Sequence, residues 1–410
     1  MGASLTTSAS IEPPPTEPRL AYNLALGYLR GFLVVLVLAH HSVLAYLKAA
    51  PSPAKSLLAP PESWRAFPVV DPHAHWAGFN LFFGFNDAFF MSLMFFVSGL
   101  FIWSSLRRKG AGTFARDRLV RLGIPYLAAA AIVAPIAYYP AYLQSGGRGF
   151  VGFVHAWMSL GDWPAGPAWF IWMLLAFDLV GAGLFVVTPN FGNTLGRLAS
   201  NARAHPIRFF LLVIAVSFAV YTPITFIYSA EYWTSIGVFQ FQTSRLFHYA
   251  IYFLAGTGVG AYGIDRGLLA SDGILARHWG RWILWGIIAF LLSAIFFFIA
   301  LADRDAISPA LLEVLSGCVY AITCASLSFA FLALFIRFAN RRRWIWDSLS
   351  ANEYAMYLLH YMFVTWLQFA LLSFALPAIG KAAFVFAGVL LLSWGTSAAL
   401  RSIPAVARVV

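Results

Sequence analysis

The stretch YLRGFLVVLVLAHHS, Tyr28 to Ser42, decides how the chain is read. It is apolar over most of its length, with Arg30 near one end and His40 and His41 near the other. Arg30 and His41 differ by three helical turns plus about 20°, so a helix carries both on one face, about 16 Å apart along its axis. His40 falls about 100° off that face and is expected to serve packing. A guanidinium on an apolar helix of membrane length is costly to bury. The expectation is that Arg30 faces a polar pathway or site inside a bundle.

Composition extends this reading to the whole chain. Of 410 residues, 61% are hydrophobic and 10% charged, with a mean hydropathy of +0.76; a soluble protein would carry about 25% charged residues. The expected fold is an all-α integral membrane protein formed as one bundle. Apolar runs near 24–46, 81–106, 119–140, 167–188, 208–228, 245–263, 281–302, 309–337, 352–375 and 382–402 give about ten transmembrane helices, each long enough for a hydrocarbon core of about 30 Å. The connection 47–80 holds Pro51, Pro53, Pro60, Pro61, Pro68 and Pro72, which excludes a regular helix there. Residues 1–20, rich in Ser, Thr and Pro, read as a disordered cytoplasmic tail, and 21–403 as a single membrane domain.

The cations set the expected orientation. With the N-terminus inside, nineteen Lys and Arg fall on the inner side, including Arg107, Arg108, Arg118, Arg121 and Arg341 to Arg343. Seven fall on the outer side: Lys48, Lys55, Arg65, Arg148, Arg245, Arg304 and Lys381. Both termini are therefore expected in the cytoplasm. The formal charge of +11 is spread along a membrane face rather than gathered in a reading element, so nucleic acid is not an expected partner; the lipid bilayer is. Cys318 and Cys324, six residues apart on one predicted helix, point to different faces and make neither a disulfide nor a thiolate metal site. His73 and His75 in DPHAHW lack a third ligand, so no metal is expected.

One cationic segment exceeds what topology needs. FARDRLVRLGIPYL (114–127) places Arg118 and Arg121 three residues apart, on one face of an α-helix that starts at the inner surface. Two such guanidiniums can clamp a phosphate with forked hydrogen bonds. Asp87 and Asp178, inside or at the edge of spans, are expected either to pair with a buried cation or histidine or to bind a substrate. Trp163 and Trp169 beside the outer mouth could stack on a sugar ring.

Together these residues resemble membrane acyltransferase family 3, the bacterial enzymes that O-acylate envelope sugars. The resemblance runs from about residue 22 to 400. It rests on Arg30 and His41 in the first helix, FFVSGLF (95–101), Arg118-Leu-Val-Arg121 followed by LGIP, AWFIWMLL (168–175), and YAMYLLHYMFV (354–364), which contains His360. The RLGIP wording is most similar to the glucan-modifying succinyltransferase branch. The resemblance implies an acyltransferase domain over 21–403, in the bacterial inner membrane. Its expected reaction moves an acetyl or succinyl group from cytoplasmic acyl-coenzyme A to a hydroxyl of an envelope glycan or glucan.

The residues agree with such a reaction. Arg118, Arg121 and Arg30 suit donor binding, and His41 suits a base of near-neutral pKa acting with Arg30. His360, Asp87 and Trp169 are the candidates for acceptor binding. A multi-pass transporter or channel is the competing expectation, because polar residues lining a bundle also suit a solute pathway.

Overall fold

The computed structural model describes residues 17–55, 65–161, 163–302 and 308–407. The expected tail at 1–16 lies outside the described residues, as do Pro60, Pro61, Arg304 and Arg408. The first helix, α1 (Glu17–Val43), starts inside the stretch read as tail.

Among the described residues, eight helical stretches are long and apolar enough to cross a membrane. They are Leu24–Tyr46, Gly78–Lys109, Ala111–Gln144, Gly166–Val187, Pro206–Ile227, Trp279–Ala302, Pro309–Phe338 and Ala378–Arg401. The count by length and hydropathy is thus eight rather than ten. The other two expected spans are helices too. One, α12 (Leu246–Tyr262), is only 17 residues long and follows directly on Arg245, which is already buried. The other, α16 (Trp344–Ala370), has the length, but Asp347, Asn352, Glu353, His360 and Gln368 lower its hydropathy.

Several spans are broken in informative ways. The second is three helices, α2 (Gly78–Asp87), α3 (Phe90–Gly99) and α4 (Ile102–Lys109). The third begins with α5 (Ala111–Arg118), widens into a π turn at Leu119–Gly123, and continues as α6 (Ile124–Ala128). A second π turn at Ala129–Val133 leads to α7 (Ala134–Gln144), which holds Pro140. Such wide turns recur at functional sites because they re-aim side chains within a helix. A short helix, α8 (Phe150–Met158), separates this span from α9 (Trp169–Val187).

The remainder alternates long helices with short links: α10 (Phe191–Ala199), α11 (Pro206–Ile227), then α12, α13 (Ile274–Arg277), α14 (Trp279–Ala302), α15 (Pro309–Phe338), α16, α17 (Ala378–Arg401) and α18 (Pro404–Ala407). Between α11 and α12 lies an antiparallel hairpin that the all-α expectation did not include. Strand β1 (Trp233–Ile236) pairs with β2 (Phe239–Gln242), Trp233 opposite Gln242. Its tip folds back onto the bundle: the Tyr126 hydroxyl donates to the Val238 carbonyl, and Trp172 Nε1 to the Gln240 carbonyl at 2.9 Å.

Helix packing places the first helix at the centre. α1 packs against α15, α16 and α17. Gly27 and Gly31 on α1 face Ser350 of α16, where a Cβ on Gly31 would lie 3.3 Å from the Ser350 backbone nitrogen. Small residues four apart let membrane helices approach closely by dispersion packing. That approach fixes which residues of α16 meet the polar face of α1.

Two of the cations read as outer-loop charges are interior groups. Arg245 is 7% exposed and pairs with Asp87; Lys381 is 2% exposed and bonds Asp71 Oδ2 at 2.5 Å. Spacing assigns a charge to a loop, whereas a carboxylate on another segment draws it inside. Asp71 Oδ1 also accepts the backbone N–H groups of His73 and Ala74, and its own N–H reaches the Ala45 carbonyl. With Gln144 bonded to both N–H and C=O of Val70, the 65–77 segment is fastened to three helix ends. His75 turns Nδ1 to the Leu47 carbonyl, and no group of three His, Cys, Asp or Glu that could hold a metal occurs among the described residues.

Candidate active site

Two rungs join α1 to α16. At the lower rung Arg30 Nη2 donates to Glu353 Oε1. At the upper rung the rings of His41 and His360 lie 5.0 Å apart, with His360 Nε2 3.3 Å from His41 Nδ1. The shared face inferred for Arg30 and His41 therefore meets a matching stripe on α16, where Glu353, Tyr357 and His360 recur at helical spacing. His360, read as an acceptor candidate, is fully buried and is the immediate partner of His41. Glu353 was not anticipated. Its signal was present, since a carboxylate seven residues before His360 falls on the same face, but only the tertiary contact shows that Arg30 is its partner.

Hydrogen bonds assign the ring protons at the upper rung. His360 Nδ1 lies 2.6 Å from the Tyr357 carbonyl, which can only accept, so Nδ1 carries the proton and Nε2 a lone pair. His41 Nδ1 faces two acceptors, the Val37 carbonyl at 2.9 Å and His360 Nε2, so it too carries its proton. The lone pair of His41 is left on Nε2. His41 is half-buried, against full burial for His360, so of the two it is the more accessible residue. An imidazole oriented through Nδ1 with Nε2 free has the arrangement of a general base.

The surroundings of the histidine pair are aromatic. Tyr361 meets the His41 ring edge-on at 5.3 Å, and the Tyr361 and Tyr138 hydroxyls both donate to the Arg65 carbonyl, at 3.4 and 2.6 Å. The fastened 65–77 segment is thus tied through the Arg65 carbonyl to the tyrosines beside His41. Gln368 Nε2 donates to the His41 carbonyl at 2.9 Å and holds the end of α1. His40 behaves as expected for packing: it is 6% exposed, stacked on Phe83 at 4.8 Å and tilted against Phe90 at 5.1 Å.

The arginine pair departs from the α-helical expectation. Arg118 ends α5 and Arg121 sits in the π turn, whose wider winding carries the two off the common face that α-spacing implies. Arg118 is partly buried, with Nε 3.0 Å from Asp178 Oδ2 and its guanidinium over Phe114; Arg121 is exposed. Tyr354 of α16 donates to the Arg121 carbonyl at 2.8 Å, so the π turn is tied to the helix that carries Glu353 and His360. Arg30, 45% exposed, pairs with Glu353, the residue next to Tyr354 on α16.

The remaining candidates are placed elsewhere. Asp87 is gripped by Arg245 through two bonds, at 2.8 and 2.6 Å, and Arg245 lies over the Tyr320 ring at 4.9 Å. That occupies the carboxylate read as an acceptor contact; of the two roles expected for it, the ion pair is the one observed. Trp169 stacks on Tyr249 at 5.8 Å and meets Trp233 of the hairpin edge-on at 5.5 Å, while Trp163 donates to the Ala130 carbonyl in the second π turn.

The family model described as an acyltransferase domain matches residues 23–398, nearly the whole chain. The chain belongs to membrane acyltransferase family 3. It is therefore an acyltransferase that moves groups other than aminoacyl groups, and a multi-pass membrane protein, which decides against the transporter or channel expectation. No curated protein and no solved structure matches it. Within this family-3 acyltransferase, the two rungs between α1 and α16 bring together, among the described residues, a half-buried imidazole, its histidine partner and the Arg30–Glu353 pair of the first-helix signature.

Proposed function

We propose that the protein transfers a short acyl group, acetyl or succinyl, from cytoplasmic acyl-coenzyme A to a hydroxyl of an envelope carbohydrate at the bacterial inner membrane. The observation that carries this reading is the uncommitted Nε2 of His41, on a half-buried ring paired with His360 one rung beyond the Arg30–Glu353 pair. With ten spans, α12 and α16 crossing with the other eight, both termini face the cytoplasm, and Arg118 and Arg121 lie at the inner surface. Donor phosphates meet these arginines and Arg30, and the thioester reaches the level of His41.

The chemistry then needs one proton carrier. The acceptor hydroxyl attacks the thioester carbonyl as His41 Nε2 takes its proton. The tetrahedral intermediate collapses, the C–S bond breaks, and the thiolate recovers the proton from His41. His360 Nε2 accepts from His41 Nδ1–H and steadies the imidazolium while it exists. Proton count balances without a third group. Trp169 and the hairpin border the outer side, where a sugar would enter.

The test is transfer by the purified protein in proteoliposomes, with labelled acetyl- or succinyl-coenzyme A on the Arg118 side and a glucan on the other. Ester formed on the glucan is the expected result. Absence of both transfer and donor hydrolysis with every short acyl-coenzyme A would overturn the donor assignment.

A further inference from the structure

Glu353 is the one carboxylate on the face of α16 that looks at the reaction histidines, and half of it is unused. Oε1 receives Arg30, but Oε2 is buried and has no hydrogen-bond partner among the described residues. The side chain is 6% exposed. A buried carboxylate oxygen without a donor is costly, and such atoms are normally matched by a ligand, a proton or a water. Its height is informative. Glu353 lies seven residues below His360, about 10.5 Å along the helix axis.

A coenzyme A thioester presents donors at that height. Its arm carries two amide N–H groups, and the farther nitrogen is seven bonds from the sulfur, about 9 Å in an extended chain. We propose that Glu353 Oε2 accepts the farther amide N–H of the donor's pantetheine arm, while Oε1 keeps Arg30 turned toward the phosphates. Glu353 thereby measures the arm and sets the thioester at the level of His41. This rests on acyl-coenzyme A as the donor, and it assigns to one residue a contact that separates pantetheine-bearing donors from shorter thioesters.

The experiment uses the full-length protein and two probes, pantetheine, which carries both amides, and N-acetylcysteamine, which lacks the farther one. Each competes with acyl-coenzyme A for transfer. Pantetheine should inhibit at least tenfold better than N-acetylcysteamine in the wild type, and Glu353→Gln should bring that ratio close to one. The double variant Arg30→Met/Glu353→Leu leaves no buried charge unpaired and is the safeguard if Glu353→Gln does not fold; it should lose the ratio as well. Equal inhibition by both probes in the wild type, no inhibition by either, or an unchanged ratio in the variants would each overturn the contact. If free coenzyme A also fails to compete, the donor assignment itself falls, which distinguishes the two failures.

Discussion

The bundle holds two buried histidine centres, and they differ in one respect that matters. His248 on α12 sits among Tyr252 and Tyr320, with ring centroids at 4.9 Å to each, and its Nε2 is shared between Ser92 Oγ at 3.1 Å and Cys324 Sγ at 3.4 Å. It is fully buried beside the Asp87–Arg245 pair. His41 is also within reach of aromatic rings and a second histidine, and each ring has an uncommitted nitrogen, Nδ1 on His248 and Nε2 on His41, but only His41 is incompletely buried. Both centres are polar, membrane-embedded and rich in tyrosine. Polarity inside a membrane bundle is thus not enough to mark a reaction site; an unspent lone pair with access to it is the better sign.

The sharpest way to break this comparison is to remove each imidazole. His41→Ala should lower transfer at least about 10²-fold, the scale of a lost general base. His248→Ala should keep most activity per folded molecule and lower thermal stability, because it opens a void in a closed cluster. Transfer rates at matched membrane expression decide it. An inactive, well-folded His248→Ala beside an active His41→Ala would reverse the assignment.

The arginines provide the second contrast. Arg118→Ala with Arg121→Ala should weaken acyl-coenzyme A binding at least tenfold, since charge-assisted hydrogen bonds contribute about 1.5–3 kcal/mol each. Lys at both positions should restore only part of it, for want of the forked geometry. Asp87→Asn should leave donor binding intact and destabilise the fold by about 3 kcal/mol, the low end for breaking a buried pair because Asp87 is one-third exposed. Binding by competition and melting in detergent separate the two outcomes.

His40→Ala carries the smallest expected effect. The ring packs against Phe83 and Phe90 and not toward the reaction face, so activity should fall by no more than a few-fold. A loss as large as that of His41→Ala would mean that the angular argument on α1 is wrong.

Much of this was readable from residue order. Helical phase alone puts Arg30 and His41 on one face and His40 off it, because 3.6 residues per turn is a property of the backbone and not of its neighbours. Apolar run length located the long helices, eight of which among the described residues are long and apolar enough to cross a membrane, and the Arg-x-x-Arg and His360 segments pointed to the family. What spacing could not determine is who faces whom. Glu353 on Arg30, Asp178 on Arg118, Arg245 on Asp87 and Lys381 on Asp71 are pairings between segments far apart in the chain, settled by which helices approach. The π turn at Leu119–Gly123 belongs to the same class, since it depends on packing rather than on propensity. Periodicity is local and survives in one dimension. The partner of a buried charge, and the lone pair left free on His41, exist only once the helices are brought together.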